Sequence, residues 1–426
     1  MRFYKETNFK ETPIGKIPKD WEIVMLKDIG RIVNGFGFPI KYQGKKDGKY
    51  IFVKVNDTNR LGNEKFIFST ENTADDDLVR TLQLQVYPPG TIIFPKIGMV
   101  IYLRKVRILA KHGTFDNNIM GIIPNRDVDR DFLYYFFLEK IDLTKLAGRT
   151  TAPSIRRSDI EKLKISIPPL LEQQKIAEIL SMIDNAIQKT NEIIAKTERL
   201  KKGLKEELLT KGIGHKEFKD TEIGRIPKEW KLVKLSNIAE DIYYGITAKA
   251  IENRGGLKIL RTMDIKDYNV DWTALPYCEI TQKRSDINRF LLKRGDLIIA
   301  RAGTTGVSIL VEKDFRNVIF GSYLIKIRLS SKVHPKFMHY FCQSQLYWKH
   351  ITRSQAGSTL KNISLPILKS LNIPLPSLYE QQKIAEILST IDKKLEIERK
   401  EKEKLERIKQ GMMDLLLTGK IRVKVA

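Results

Sequence analysis

The chain of 426 residues is longer than one compact core usually requires, so we expect two or more domains. It has no run of about 18 apolar residues, no apolar core at its start and only two cysteines, which argues against a membrane span, a secretory signal and a disulfide framework and favours the cytoplasm. Lysine and arginine outnumber aspartate and glutamate by 76 to 51, and the resulting net charge of +25 favours nucleic acid over a membrane surface as partner.

The chain repeats two sequence blocks. Residues 14–21 read IGKIPKDW, and residues 223–230 read IGRIPKEW. A second block, EQQKIAEIL, stands at both 172–180 and 380–388. Because both blocks recur at nearly the same distance, they indicate a tandem duplication. We therefore expect two similar halves related by a pseudo-two-fold axis.

Residues 22–165 have the pattern of a mixed, β-rich domain, which we call the first head. Short β-branched and aromatic runs such as 50–55 and 90–94 lie between turn residues. The apolar stretch 132–138 is predicted to be a helix whose aromatic side chains belong to the core and not to a base-stacking platform. Basic residues in loops suit contacts with phosphate and guanine, although any one of them can be an ordinary solvated charge. The DNA-binding candidates of this head are Lys41, Lys45, Lys46, Lys96, Arg104, Lys105, Arg107 and Arg149.

A long helix is predicted next, and the proline pair at 168–169 opens it. From Ile176 to Leu208, the spacing alternates between four and three residues. This is a heptad seam with polar interruptions at Thr190, Thr197 and Lys201. About 40 residues in a helix make a rod on the order of 60 Å long.

The second half repeats this plan. Residues 231–370 have the pattern of a second β-rich head, with a predicted strand at 295–300 and an apolar helix at 337–341. Before the second long helix, Ser377 and Glu380 have the spacing of a capping box. The DNA-binding candidates of this head are Lys249, Arg254, Arg261, Lys283, Arg284, Arg301 and Arg316.

The two long helices are expected to pack on each other as an antiparallel coiled coil, because a two-fold relation between the halves makes them antiparallel. The alternative is that each helix packs only on its own head. Off the seam, the same polar residues occur in both copies, which favours a surface for partner subunits, although a solvated face explains them as simply. These partner-docking candidates are Gln173, Lys175, Glu178, Gln381, Lys383 and Glu386.

No sequence motif for catalysis stands out. The chain has no phosphate-binding GxxxxGK[ST] loop, no zinc-type CxxC pair and no Asp-Pro-Pro-Tyr or Asn-Pro-Pro-Tyr motif. His334 and His339 lack companions for a metal site, and Cys278 and Cys342 are expected to be buried as small apolar residues. Because the duplication builds two similar surfaces and not one cleft, we expect no catalysis, metal or cofactor in this chain. Scattered carboxylates leave a stand-alone nucleic-acid-modifying enzyme as the alternative.

Several motifs resemble those of the specificity subunits of type I restriction–modification enzymes. They are the Ile-Pro-x-x-Trp blocks at 17–21 and 226–230 and the EQQKIAEIL blocks that lead into each long helix. The Gly-Arg-Thr stretch at 148–150 and the Gly-Ser-Thr stretch at 357–359 fit the same pattern. Together these motifs cover the whole chain in the order of that family.

The resemblance implies an α+β fold in which two target-recognition domains, 1–168 and 212–376, are joined by long helices at 169–211 and 377–420. It implies that each domain reads one half of a split site in double-stranded DNA. It also implies that the helices dock two methyltransferase subunits, which bring S-adenosylmethionine, and that restriction and motor subunits bring ATP and magnesium. The resemblance fixes no base-reading residue. A coiled-coil scaffold that binds no DNA is the third interpretation.

Overall fold

The computed structural model describes residues 2–147, 153–252, 255–280, 287–355 and 362–424. Its contacts divide the chain into two compact units. The first unit comprises Met1–Asn191 and Lys400–Ala426, and the second comprises Glu192–Arg399. Each unit therefore holds one head, the first part of one long helix and the last part of the other. Within the described ranges, no helix is both long enough and apolar enough to cross a membrane.

The strands and α-helices are numbered in chain order. The first half contains β1 (Phe3–Lys5), β2 (Phe9–Lys10), β3 (Ile17–Pro18), β4 (Glu22–Met25), α1 (Leu26–Ile29), β5 (Gly30–Asn34), β6 (Tyr50–Val53), β7 (Phe66–Ile67), β8 (Asn72–Ala74), α2 (Asp76–Thr81), β9 (Ile92–Pro95), β10 (Arg107–Leu109), β11 (Gly113–Phe115), β12 (Ile119–Pro124), α3 (Arg130–Lys140), α4 (Leu143–Leu146), α5 (Arg157–Glu161), β13 (Lys164–Ile167) and α6 (Leu170–Thr210). The second half contains β14 (Phe218–Thr221), β15 (Gly224–Pro227), β16 (Lys231–Lys234), β17 (Ala239–Tyr244), β18 (Lys249–Ile251), β19 (Lys258–Leu260), β20 (Ile265–Lys266), β21 (Asn269–Val270), β22 (Tyr277–Glu279), β23 (Leu297–Ala300), β24 (Ser308–Leu310), β25 (Val318–Phe320), β26 (Leu324–Leu329), α7 (Pro335–Phe341), α8 (Gln345–Gln355), α9 (Leu365–Lys369), β27 (Asn372–Leu375), α10 (Leu378–Leu417) and β28 (Ile421–Val423).

Two sheets form most of the first head. One has the strand order β5-β12-β9-β10-β7 and the other β11-β6-β8. Neighbouring strands are antiparallel, except that β10 is parallel to β7 and β11 to β6. Pro95, the last residue of β9, pairs with Ile119, and Asn34, the last residue of β5, pairs with Met120. The carboxyl ends of β5 and β9 therefore lie at the same end of the sheet, on either side of β12.

The second head has the same plan. Its sheets have the orders β17-β26-β23-β24 and β18-β22-β19-β25. Ala300, the last residue of β23, pairs with Leu324, and Tyr244, the last residue of β17, pairs with Ile325. Residues 300 and 244 therefore correspond to residues 95 and 34 of the first head.

A glycine after β5 and another after β17 support this correspondence. A Cβ atom on Gly35 would lie 2.0 Å from the carbonyl oxygen of Asp116, and one on Gly245 would lie 2.2 Å from that of Gly321. No side chain fits at either distance, so both positions require glycine.

The aromatic helix of each head, α3 in the first and α7 in the second, lies in the core, which confirms the prediction. In the first unit Phe132 and Phe137 belong to one buried cluster with Trp21 and with residues of both long helices, α6 and α10. In the second unit Phe337 and Phe341 are buried in the same way. Each head is therefore packed on a helix pair and not on a single helix.

The two long helices run antiparallel within each unit, as predicted. In the first unit, Asp184 Oδ1 and Lys409 Nζ are 2.7 Å apart, while Leu180 shares the core with Met413. The residue number on α10 thus rises as the residue number on α6 falls, which is the pattern of antiparallel helices. In the second unit, Lys201 Nζ and Asp392 Oδ1 are 2.5 Å apart.

The predicted seam is confirmed by burial, because each seam position is buried or half-buried. Even the polar interruptions Thr190 and Thr197 are only 8% and 7% exposed, and Thr190 Oγ1 donates to the carbonyl of Ala186 at 3.0 Å. The capping box before α10 is only half formed. Ser377 Oγ accepts from the backbone N–H of Glu380 at 3.3 Å, but the Glu380 carboxylate binds other groups.

Candidate nucleic-acid interface

In the first unit, the tryptophan of the repeated Ile-Pro-x-x-Trp block contacts the first turn of α6. Trp21 Nε1 donates to Glu172 Oε2 at 3.3 Å. Arg422 donates to the same carboxylate at 2.5 and 2.7 Å, to Glu6 at 2.8 Å and to Asp20 at 2.7 and 2.9 Å. Burial opposes the charge of Arg422, but its hydrogen bonds with Glu172 and Asp20 outweigh that effect and raise its pKa. The block, the helix and β28 are thus tied together through one guanidinium.

The second unit has a matching anchor in which a histidine stands in place of the arginine. Trp230 Nε1 donates to Glu380 Oε2 at 3.0 Å. His215 Nε2 lies 2.9 Å from Glu380 Oε1, and its Nδ1 lies 3.3 Å from Glu229 Oε2. The two repeated blocks therefore bind each other in both units. This contact was not predicted from the sequence, although the joint repetition of the two blocks is a signal for it.

The structure corrects the docking prediction for Gln173 and Gln381, which are 2% and 0% exposed. Gln173 accepts from the backbone N–H of Asp129 at 2.9 Å and donates to the carbonyl of Pro168 at 2.9 Å. Gln381 accepts from the backbone N–H of His334 at 2.8 Å and donates to the carbonyl of Pro376 at 3.0 Å. Their amides join head to helix, and so neither is available to a partner subunit in this structure.

The other docking candidates lie on exposed helix faces. Lys175 Nζ pairs with Glu178 at 2.8 Å, and Lys383 Nζ pairs with Glu386 at 3.0 Å. The same pair thus stands at the same place on both long helices.

A tyrosine on the aromatic helix gives each head a second connection to the long helix. Tyr135 Oη donates to Asp184 Oδ2 at 2.5 Å, and Tyr340 Oη donates to Asp392 Oδ2 at 2.6 Å. These are the aspartates that pair with the seam lysines, so one carboxylate connects head, first helix and second helix in each unit. Burial raises the pKa of both tyrosines, which stay neutral donors.

Several DNA-binding candidates already have acidic partners. Lys45 Nζ is 2.6 Å from Asp75 Oδ2, and Arg261 binds Asp264 through two nitrogens at 2.9 and 3.1 Å. Arg104 lies 3.6 Å from Asp142. These pairs reduce the free charge that each cation offers to a phosphate.

The prediction that Arg107 lies in a DNA-facing loop is wrong. The residue begins β10 and is 8% exposed. Its guanidinium donates to the carbonyls of Val106 and Thr58 at 2.7 and 2.8 Å. Burial lowers its pKa, and the side chain links the strand to a neighbouring loop.

The remaining candidates differ in exposure. Lys41, Lys46, Lys249 and Arg316 are exposed, and Lys105 is half-exposed. Lys96 and Arg301 are half-buried, each directly after a central strand of its head. The candidates Arg149, Arg254, Lys283 and Arg284 lie outside the described residues, as do the stretches 148–150 and 357–359.

The described residues place no group of histidines, cysteines and carboxylates where it could hold a metal ion. Both cysteines are buried, as predicted, and burial raises the pKa of Cys342 to about 12, so its thiol is a poor nucleophile.

These features define a class: a duplicated protein whose two heads are anchored on the first turns of two long helices. The sequence profile of the type I restriction modification DNA specificity domain matches residues 18–199 and again 227–407. The chain belongs to this family.

Similar proteins match all or most of the chain. The type I restriction enzyme MjaVIII specificity subunit of Methanocaldococcus jannaschii is 32% identical over 100% of this chain and 98% of its own length. The EcoKI specificity subunit of Escherichia coli is 22% identical over 87% of this chain and 82% of its length. The crystal structure of a type I restriction–modification S subunit from M. genitalium covers 97% of this chain and 100% of its own, with a TM-score of 0.57 at 17% identity. That structure shares the fold.

Proposed function

We propose that this protein is the DNA-specificity subunit of a type I restriction–modification complex and that each head reads one half of a split, gapped DNA site. The observation that carries the proposal is the double match to the specificity domain, one in each half of the chain. The net charge of +25 supports binding of duplex DNA.

The two heads are proposed to read different sequences, because they share a plan but differ where side chains reach the sheet edge. The first head has Asn34 at the carboxyl end of β5, whereas the second has Tyr244 at the matching end of β17. Such side chains offer different hydrogen-bond donors and stacking surfaces to a base pair.

The long helices are proposed to dock two methyltransferase subunits and to set the distance between the two half-sites. The exposed Lys175–Glu178 and Lys383–Glu386 pairs support a repeated docking surface. S-adenosylmethionine would belong to the methyltransferase subunits, and ATP and magnesium to the restriction and motor subunits, in a cytoplasmic complex. The chain itself would be non-catalytic.

The test is to sequence the methylated sites in cells that express this chain with its methyltransferase partner. We expect a motif of two short sequences separated by unread bases. Replacing residues 231–370 with another recognition domain should change one half-site and leave the other unchanged. A continuous motif, or a change in both halves, would contradict the proposal, and methylation by the purified chain alone would show a stand-alone enzyme.

A further inference from the structure

Lys96 and Arg301 occupy the same position in the two heads. Each follows the last residue of the matching strand, β9 or β23. The backbone N–H of Lys96 donates to Asn118 and that of Arg301 to Tyr323, both at 2.9 Å. Their carbonyls accept from Ile155 at 2.8 Å and from Ile363 at 2.9 Å. The backbone at both positions is therefore fixed in the same way.

Their side chains point to the ends of the neighbouring strands, which also correspond. Lys96 Nζ donates to Asn34 Oδ1 at 2.9 Å, and the guanidinium carbon of Arg301 lies 4.4 Å from the ring centre of Tyr244. An amide and an aromatic face hold a cation in place without neutralising it. Among the described residues, neither cation forms an ion pair with a carboxylate, in contrast to Lys45 and Arg261.

Both cations are partly buried and have no acidic partner among the residues that the structure describes. Burial lowers the pKa of Lys96, and the buried Nε of Arg301 has no hydrogen-bond partner in the described residues. A bound anion would supply the missing charge and hydrogen bonds, so its binding gains more here than at a fully solvated lysine. Exposed apolar side chains lie close by in the chain, since Met99 and Leu103 are 71% and 59% exposed. Such side chains suit contacts with sugars and bases.

We propose that Lys96 and Arg301 each bind a phosphate of the DNA backbone, one in each head. This inference rests on the proposed function. The two heads differ in their loops, yet both keep a positive charge at this position. The phosphate backbone is the part of the ligand that is the same at both half-sites. Lysine and arginine can replace each other as charges for a phosphate but not in bidentate recognition of guanine.

The test measures how salt changes the affinity of the full chain for a pool of random-sequence DNA duplexes. Each phosphate contact contributes about 0.9 to the slope of log affinity against log salt. Lys96→Gln and Arg301→Gln should therefore each reduce the slope by about 0.9. The same relation predicts a loss of affinity on the order of tenfold at roughly 50 mM salt and about fourfold at roughly 200 mM.

Matched controls separate this site from a general charge effect. Lys16→Gln and Lys228→Gln each remove one charge from a lysine already paired with a glutamate, at 3.0 Å in both cases. They should leave the slope nearly unchanged. Lys96→Arg and Arg301→Lys keep the charge and should also preserve the slope.

A further variant decides the question if a glutamine variant does not fold. Asn34→Asp would place a carboxylate beside Lys96 and should lower the slope as Lys96→Gln does. If the wild type binds DNA and these variants keep its slope, the assignment is overturned while the proposed function stands. A loss restricted to one base-pair identity would show a base contact and also overturn it. A wild type that binds no duplex DNA would contradict the proposed function itself.

Discussion

His339 lies on the aromatic helix of the second head, where the first head has Tyr134. Its Nδ1 is buried without a hydrogen-bond partner among the described residues, and its Nε2 lies 3.0 Å from Gln343 Nε2. Burial lowers the pKa of His339 from 6.5 to about 4. The unfolded chain therefore binds this proton more tightly than the folded chain does. The stability that depends on neutral His339 is therefore fully present above pH 6.5 and is lost as the pH falls towards about 4.

We expect this residue to reduce the free energy of unfolding of the second unit by about 2 kcal/mol between about pH 7.5 and about pH 5. His339→Phe should remove that part of the pH dependence even if it changes stability at neutral pH. Hydrogen exchange on peptides from each unit measures the effect. Burial raises the pKa of Tyr134, so the matching position in the first unit serves as an internal control. An unchanged acid slope in His339→Phe would contradict the prediction.

Residue-level contacts were the hardest part of the site to predict from the sequence. The repeated glutamines 173 and 381 lie three residues before Ile176 and Ile384, the first apolar positions of the seam, and their polar amides favoured the interpretation of a solvated face. They are buried because each head covers the first turn of its helix, and backbone groups of the head satisfy their amides. Periodicity indicates which face of a helix is buried, but it does not identify the element that covers this face, so it could not show that a head packs on this turn.

At the scale of elements, the heptad pattern predicted the long helices and their pairing well. It showed Lys201 only as a polar interruption, whereas the structure pairs Lys201 with Asp392 and the matching Lys409 with Asp184. The partners could not be identified because a cross-helix pair depends on the register of the other helix. In the heads, alternation predicted β-rich structure but not strand order, which depends on pairing between distant segments.

The exposed lysine–glutamate pairs on both long helices give a prediction about assembly. Lys175→Glu combined with Lys383→Glu places a new carboxylate beside Glu178 and Glu386. If methyltransferase subunits contact these faces, assembly should weaken by on the order of tenfold or more, because like charges then meet at the interface. Co-purification and titration of the subunits measure the change.

The matched control is Lys196→Glu combined with Lys404→Glu. These lysines are also exposed, lie on the same two helices and correspond to each other in the repeat. The control changes the net charge by the same amount and should assemble as the wild type does. If the Lys175 and Lys383 double variant assembled as well as the Lys196 and Lys404 double variant, the docking surface would lie elsewhere.

At the scale of the whole molecule, each compact unit combines parts of both halves of the chain. The division falls within the long helices, after Asn191 and after Arg399. The sequence repeat does not show this division, because each repeat consists of one head followed by one whole helix. It follows from the antiparallel direction of the helices, which brings the end of one beside the start of the other.

Lengthening both helices at this division should change the spacing of the DNA half-sites. Four residues inserted after Asn191 and four after Arg399 would add about 6 Å of helix and turn its end by about 40°. One base pair advances about 3.4 Å, and a full turn takes about 10 base pairs. We therefore expect the unread gap to grow by one or two base pairs in the methylated motif.

The head exchange over residues 231–370 is the control for this experiment, because it should change a half-site without changing the gap. An unchanged gap after the helix insertion would show that the helices do not set the spacing. Loss of methylation with intact assembly would show that the added rotation prevents both heads from binding at once.

The seam ion pairs also bear on how such a gene can evolve. Asp184 of the first repeat pairs with Lys409 of the second, and Asp392 of the second pairs with Lys201 of the first. Each repeat therefore supplies the acid of one bond and the base of the other. Recombination with a related gene within the two EQQKIAEIL blocks could replace the second head, and the chimaera would keep both bonds provided that the incoming segment carries an aspartate and a lysine at the positions of Asp184 and Lys201. Such a gene could gain a new recognition domain while the two long helices still pair, without compensating mutations in the helices.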